Sequence, residues 1–281
     1  MSSFYMRYPE GRVKALTFSY DDGVESDIRL IEIMRAHGLK GTFNINSGLF
    51  APEGTVYPKG TIHRRMSEQE CYRAYHESGM EVAIHGECHP FLDSMPQHLA
   101  LRDIARDREE LETLFGTIIR GAAYPYGAYS QKVIDCLCAC GIVYCRAVAC
   151  THNFRMPTDW HRLSATCHHA DKQLMELADK FLAISDTSPT TSLFYVWGHS
   201  YEFDRDDNWD VIEAFAQKMG GHQDIWYATN IEIYDYIKAY ESLHISFDGN
   251  RVHNPTAQTV WFQKDGTTYS IAPGETLCLS R

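Results

Sequence analysis

Nothing in this 281-residue chain is long and apolar enough to read as a membrane span. The first residues, Met-Ser-Ser-Phe-Tyr-Met-Arg-Tyr-Pro, lack a basic stretch followed by an apolar run, so no secretory leader is expected. Basic charge is scarce as well. Twenty-six Lys and Arg stand against 37 Asp and Glu, a formal net charge of -11, and no dense Lys/Arg patch is present. Nucleic acid and anionic membrane surfaces both reward such patches, so neither is an expected partner. A paired cysteine framework is missing too, because nine is an odd count. Free, mostly buried thiols of a reducing compartment fit better, and with the missing leader they give a cytoplasmic expectation. Cys136, Cys138 and Cys140 invite a metal reading, but they lie in a helical pattern without a second Cys pair at zinc-ribbon spacing. Core packing is the expectation there.

What the chain does have is an ordinary globular composition, 44% hydrophobic and 12% aromatic, at a length that suits one large α/β domain with or without a small appendage. Residues 13–23, Val-Lys-Ala-Leu-Thr-Phe-Ser-Tyr-Asp-Asp-Gly, read as a buried strand that ends in two carboxylates and a glycine. Asp21 and Asp22 would point in different directions from that strand end, so one can bind a cation while the other takes a proton. Taken alone, Asp-Asp-Gly reads more often as an N-cap or turn at a strand-helix junction than as a site.

Further along, the pattern alternates. A helix over 26–38 and a strand over 40–45 complete a βαβ unit, with parallel pairing and a right-handed crossover. Residues 47–65, with several Gly and Pro, read as a loop or short hairpin over the strand ends. Ser67 and Glu70 form a capping box for the next helix, and 81–84 is a strand followed by His85 and His89. Pro90 disfavours a helix at His89, so both imidazoles are placed on a strand-end loop. A helix over 95–114 presents paired charges to solvent, and a strand over 118–120 leads into Tyr124-Pro125-Tyr126-Gly127. Arg120 could grip a carboxylate from there with two prongs, or be a surface arginine beside a proline turn. Helix 131–140, strand 142–148, helix 171–184, strand 193–197 with His199 behind it, helix 209–219, strand 224–229 and helix 231–243 continue the series. The strands count seven or eight. An α/β barrel with its polar strand ends on one rim accommodates them economically. Residues 245–281 carry hairpin signals and read as a small β appendage packed on a barrel of residues 1–244.

In order and spacing, the strand end at 13–23 and the clusters at 84–90, 120–127 and 194–199 resemble the motifs of NodB-homology polysaccharide deacetylases, carbohydrate esterase family four. That family is known for Thr-Phe-Asp-Asp-Gly, His-x-x-x-His, Arg-x-Pro-Tyr, an Asp-Trp segment and a late Leu-x-His. Asp159-Trp160 is the candidate for the Asp-Trp segment, although the strand that usually precedes it is not visible. The resemblance implies a distorted (β/α)7 barrel and a divalent cation held by Asp22, His85 and His89, with zinc first and cobalt, nickel or iron(II) as alternatives. It implies Asp21 as the base, held by Arg120, and His199 as the acid. Tyr124, Pro125, Tyr126, Trp160 and Trp197 would line the substrate cleft. The implied reaction is removal of an acyl group, N-acetyl above all, from an amino sugar or its oligomer or polymer. Two rival readings stay open: an intracellular hydrolase of a small amide or cyclic imide, and a catalytically dead carbohydrate-binding barrel. An exposed edge on the terminal β segment could carry a homo-oligomer, though nothing demands one.

Overall fold

Ala15, Leu16, Phe18 and Tyr20 supply the apolar half of residues 14–21, a strand buried along its whole length, as the middle of a parallel sheet covered on both faces requires. The computed structural model describes residues 3–279. Its strands in chain order begin with β1 (Phe4–Arg7), β2 (Lys14–Asp21), β3 (Thr42–Ile45), β4 (Glu81–Ile84) and β5 (Gly121–Ala123). Next come β6 (Tyr144–Cys150), β7 (Leu163–Ala165), β8 (Cys167–His168), β9 (Ser192–Gly198) and β10 (Ile225–Tyr227). Parallel pairing runs β7-β6-β5-β4-β3-β2-β9-β8, and β10 lies against the first half of β2. β7 and β8 are two halves of one path bent at Thr166. The first half pairs with β6 and the second with β9. Thr166 N–H donates to Tyr195 O at 2.8 Å, and Thr166 O accepts from His152 N–H at 2.9 Å. The bend closes the ring, which gives the distorted seven-stranded α/β barrel.

Helices Ser26–Ala36, Glu68–Tyr75, Gln97–Phe115, Gln131–Ala139, Leu174–Leu182, Trp209–Met219 and Asn230–Glu241 follow the strands. Outward-facing Leu16, Phe18 and Tyr20 share the main apolar core with helix residues such as Leu30, Met34, Phe181 and Phe215. A second cluster, with Ala15, Tyr144, Leu163, Tyr195 and Trp197, extends to Ile233 and Tyr236 of helix Asn230–Glu241. That helix marks the end of the barrel where strands begin: Asn230 N–H donates to the hydroxyl of Thr42, the first residue of β3, at 3.1 Å. The polar strand ends lie at the opposite end.

The remaining strands are β11 (His244–Ile245), β12 (Arg251–His253), β13 (Val260–Lys264), β14 (Thr267–Ile271) and β15 (Thr276–Cys278). They form two antiparallel sheets, β1-β13-β14 and β11-β12-β15. The β region is therefore not built from the C-terminal chain alone, since β1 pairs with β13 along its length and Phe4 stacks on Phe262 at 4.6 Å. Tyr236 fastens it to the barrel helix by donating to Arg7 O at 2.6 Å and accepting from Trp261 N–H at 2.9 Å. Among the described residues no helix is long and apolar enough to cross a membrane.

Candidate functional site

β2 delivers Asp21 and then breaks. Asp22 has φ 89° and Gly23 φ 66°, both in the region that L side chains rarely enter. His89 (φ 52°) and Tyr126 (φ 58°) share this feature, and such backbone strain concentrates where a site must aim its groups. Asp22 N–H is tied to Asn44 O at 2.9 Å, so the turn is pinned to β3.

Asp22, His85 and His89 each offer a ligand atom, and these atoms lie within 4.8 Å of one another. His85 is buried, and its Nδ1–H donates to Ala123 O at 2.9 Å, which leaves the Nε2 lone pair free to ligate. Burial lowers the His85 pKa and brings His89 down to about 4, with His85 beside it adding to the effect. Both rings are therefore neutral near pH 7. Asp107, from the long helix Gln97–Phe115, sets the height of the His85 loop by accepting from His85 N–H at 3.0 Å and Ser47 N–H at 2.8 Å. Asp22 is ionised, because His63, His85 and Arg65 outweigh the burial that would raise its pKa. A carboxylate and two neutral imidazoles with unused lone pairs form a donor set that fits a divalent transition metal.

Asp21 lies beside this group at 2% exposure. Its Oδ1 accepts from Asn44 Nδ2 at 2.8 Å, and its Oδ2 is in ion-pair contact with Arg146 Nη2. Burial alone would raise its pKa, but Arg146, with His85 and His199, overrides that and holds it below the ordinary carboxylate range. His199 Nε2 faces Asp21 Oδ2 at 3.7 Å, while His199 Nδ1 faces Glu202 Oε2 at 3.7 Å. Burial would lower the His199 pKa, yet Glu202, Asp21 and Asp22 outweigh it and raise it above the histidine norm. The arrangement joins an ionised carboxylate, a readily protonated imidazole and three potential ligand groups within about 4 Å of their neighbours.

Not every expected residue is here. Arg120 does not hold Asp21. The strand expected over 118–120 is β5 at Gly121–Ala123, so Arg120 precedes it, at the end of the barrel opposite the site, and is ion-paired to Asp235 at 2.5 Å. Trp160 is displaced in the same way. It sits just before β7 and packs edge-on against Tyr234 of helix Asn230–Glu241 at 5.0 Å, so it is not a cleft wall. Asp159 accepts from His161 N–H at 3.0 Å and pairs with Arg162, a capping role away from the cleft. Tyr124 is 1% exposed and donates its hydroxyl proton to His161 O at 2.8 Å, which removes it from the substrate surface. Pro125 is buried and shapes the loop, while Trp197 lies beneath the Arg146 guanidinium at 4.5 Å. Tyr126 does face solvent, at 56% exposure, stacked on Phe91 at 3.9 Å and set against His89 at 4.4 Å.

Residues that sequence reasoning missed are Arg146, Arg65, His63 and Glu202. Arg146 left a readable signal, since a lone arginine inside an apolar strand has to meet a buried anion. Glu202, three residues past His199 on helix Tyr201–Arg205, also lies 3.1 Å from His168 Nε2 and 3.3 Å from His169 Nε2. Arg65 and His63 come from the long loop, where no pattern distinguishes them.

A family model described as polysaccharide deacetylase matches residues 7–145. Among solved structures, a candidate polysaccharide deacetylase from Mycobacterium smegmatis is similar at a TM-score of 0.58 and 16% identity, over 84% of this chain and 94% of that one. The family 4 carbohydrate esterase from Streptomyces lividans in complex with acetate gives 0.50 and 15%, over 77% and 93%. Streptococcus pyogenes deacetylase PplD in complex with acetate gives 0.42 and 15%, and the match covers 47% of this chain and 55% of that one. At such identities the likeness speaks for the fold. No curated protein matches the chain.

Proposed function

The chain belongs to the polysaccharide deacetylase family, of the NodB-homology type, and on that premise we propose that it is a metal-dependent hydrolase that removes an acyl group, N-acetyl first, from an amino sugar or its oligomer or polymer. Asp22, His85 and His89 would hold the ion, with zinc first and cobalt, nickel or iron(II) as other occupants. Once bound, a divalent cation supplies Lewis acidity to the acyl carbonyl and to a water beside it. Asp21 takes the proton from the attacking water at Oδ2, and Arg146 keeps that carboxylate ionised and aimed. His199, whose Nε2 lies 3.7 Å from Asp21 Oδ2, carries a proton there and passes it to the leaving nitrogen. The exposed Tyr126 ring, backed by Phe91, offers an apolar face on which a sugar ring can stack.

One observation carries this reading: three ligand-type groups converge within 4.8 Å, directly beside an ionised carboxylate with its own buried arginine. The test is acetate release from chitooligosaccharides, peptidoglycan fragments and small amides, using protein stripped by a chelator and then reloaded with zinc. Release from an amino sugar should return with the metal. Asp21→Asn should abolish release while keeping the metal, and His85→Ala should lose both. Turnover retained by Asp21→Asn would reject Asp21 as the base.

A further inference from the structure

Asp22 has partners on both oxygens. Arg65 Nη2 donates to Oδ1 at 3.1 Å, and His63 Nε2–H donates to Oδ2 at 3.2 Å. Arg65 Nη1 also contacts Asp22 O and donates to Asn46 Oδ1 at 2.6 Å. The guanidinium is thus fixed by three acceptors. Oδ1 is also the oxygen that faces His89 Nε2, at 3.9 Å. The carboxylate oxygen nearest the imidazole is therefore the one already engaged by a cation.

The charges around the site balance. Asp21, Asp22 and Glu202 contribute three negative charges, and Arg146, Arg65 and the protonated His199 three positive ones. Arg146 has its own anion in Asp21, but Arg65 neutralises the ligand itself. A dication that takes Oδ1 would meet a like charge at contact range, in a place where Asp22 is 7% exposed and water screens poorly.

We infer that Arg65 is an internal competitor for Asp22, which holds the ligand carboxylate when no metal is bound and makes the site load weakly and reversibly. Arg65 arrives on a segment well anchored for this purpose. Met66 N–H donates to Gly23 O at 3.0 Å, Glu25 N–H to Arg64 O at 2.8 Å, and Tyr57 donates its hydroxyl proton to Arg65 O at 2.7 Å. Removing the guanidinium leaves Asp22 oriented, because Asn44 O still binds its N–H and His63 still holds Oδ2. The inference rests on the reading of Asp22, His85 and His89 as the metal triad.

The test is zinc affinity measured by chelator competition on the full chain, for the native protein, Arg65→Met, Arg65→Lys and His89→Ala. Met keeps the apolar stem and removes the charge, so Arg65→Met should bind zinc at least about tenfold more tightly than the native protein. Arg65→Lys should fall between the two, and zinc should raise the melting temperature of Arg65→Met more than that of the native chain. Affinity in Arg65→Met that is unchanged or weaker, with binding still lost in His89→Ala, would overturn the inference and leave the triad standing. Absence of zinc binding in both the native protein and Arg65→Met would overturn inference and triad together.

Discussion

Replacing Arg146 and Arg120 by Met, each in turn, separates the two arginines that could serve Asp21. Arg146 is fully buried and its partner Asp21 is 2% exposed. Arg146 also donates to Ser19 Oγ at 3.2 Å and lies over the Trp197 ring. Removing one member of a buried pair strands the other as an uncompensated charge, which costs about 3–5 kcal/mol. The Arg120–Asp235 pair has side chains 34% and 32% exposed and should contribute about 0–1 kcal/mol. Urea denaturation would measure both, with the midpoint expected to fall strongly in Arg146→Met at an unchanged slope and barely to move in Arg120→Met. Activity should divide the same way. Without Arg146, burial dominates Asp21 and its pKa rises, so the base is protonated over a wider range and the acid limb of the rate profile moves to higher pH. Acetate release across pH would record that movement. A large loss in Arg120→Met beside a near-native Arg146→Met would refute the assignment.

Two further outcomes follow from packing and burial. A Cβ at Gly121 would sit 2.2 Å from the Tyr144 hydroxyl oxygen, and that hydroxyl is committed to Glu81 at 2.7 Å, so Gly121→Ala should cost about 1–3 kcal/mol in denaturant melts; an unchanged midpoint would mean the ring yields freely. Burial raises the Asp27 pKa to about 7 despite its bonds from Ser200 and Tyr75, so folding takes up a proton between the unfolded value near 3.8 and about 7, and its contribution to stability is full below that window and lost as pH rises through it. Asp27→Asn should therefore gain on the native protein by up to about 1.4 kcal/mol per pH unit across that window, and parallel stability profiles would contradict the raised pKa.

Alternation of apolar runs with capped helices made the barrel legible, and the capping box at Ser67 and Glu70 is formed as the spacing suggests. The polar strand ends were legible for the same reason, because Asp21, Asp22, His85 and His199 each follow a strongly apolar run. Arg120 was misplaced because Gly121-Ala122-Ala123 has little strand propensity, and Gly121 is small because the Tyr144 ring of the adjacent strand β6 passes over it to reach Glu81 of β4. A slip of three residues in that strand moves an arginine from one end of the barrel to the other. Trp160 shows a related failure, since β7 is only three residues long and a dipeptide beside it gives no hint of which end it occupies. Pairing of β1 with β13 joins the two ends of the chain, which no local pattern records.

The central claim is that Asp22, His85 and His89 share one divalent ion. Anomalous difference density at the zinc edge, from crystals of protein loaded with excess zinc, tests it most directly. The account predicts a peak about 2.0–2.2 Å from an Asp22 carboxylate oxygen, His85 Nε2 and His89 Nε2. Strong zinc density only at other positions, with Arg65 still clasping Asp22, would contradict it.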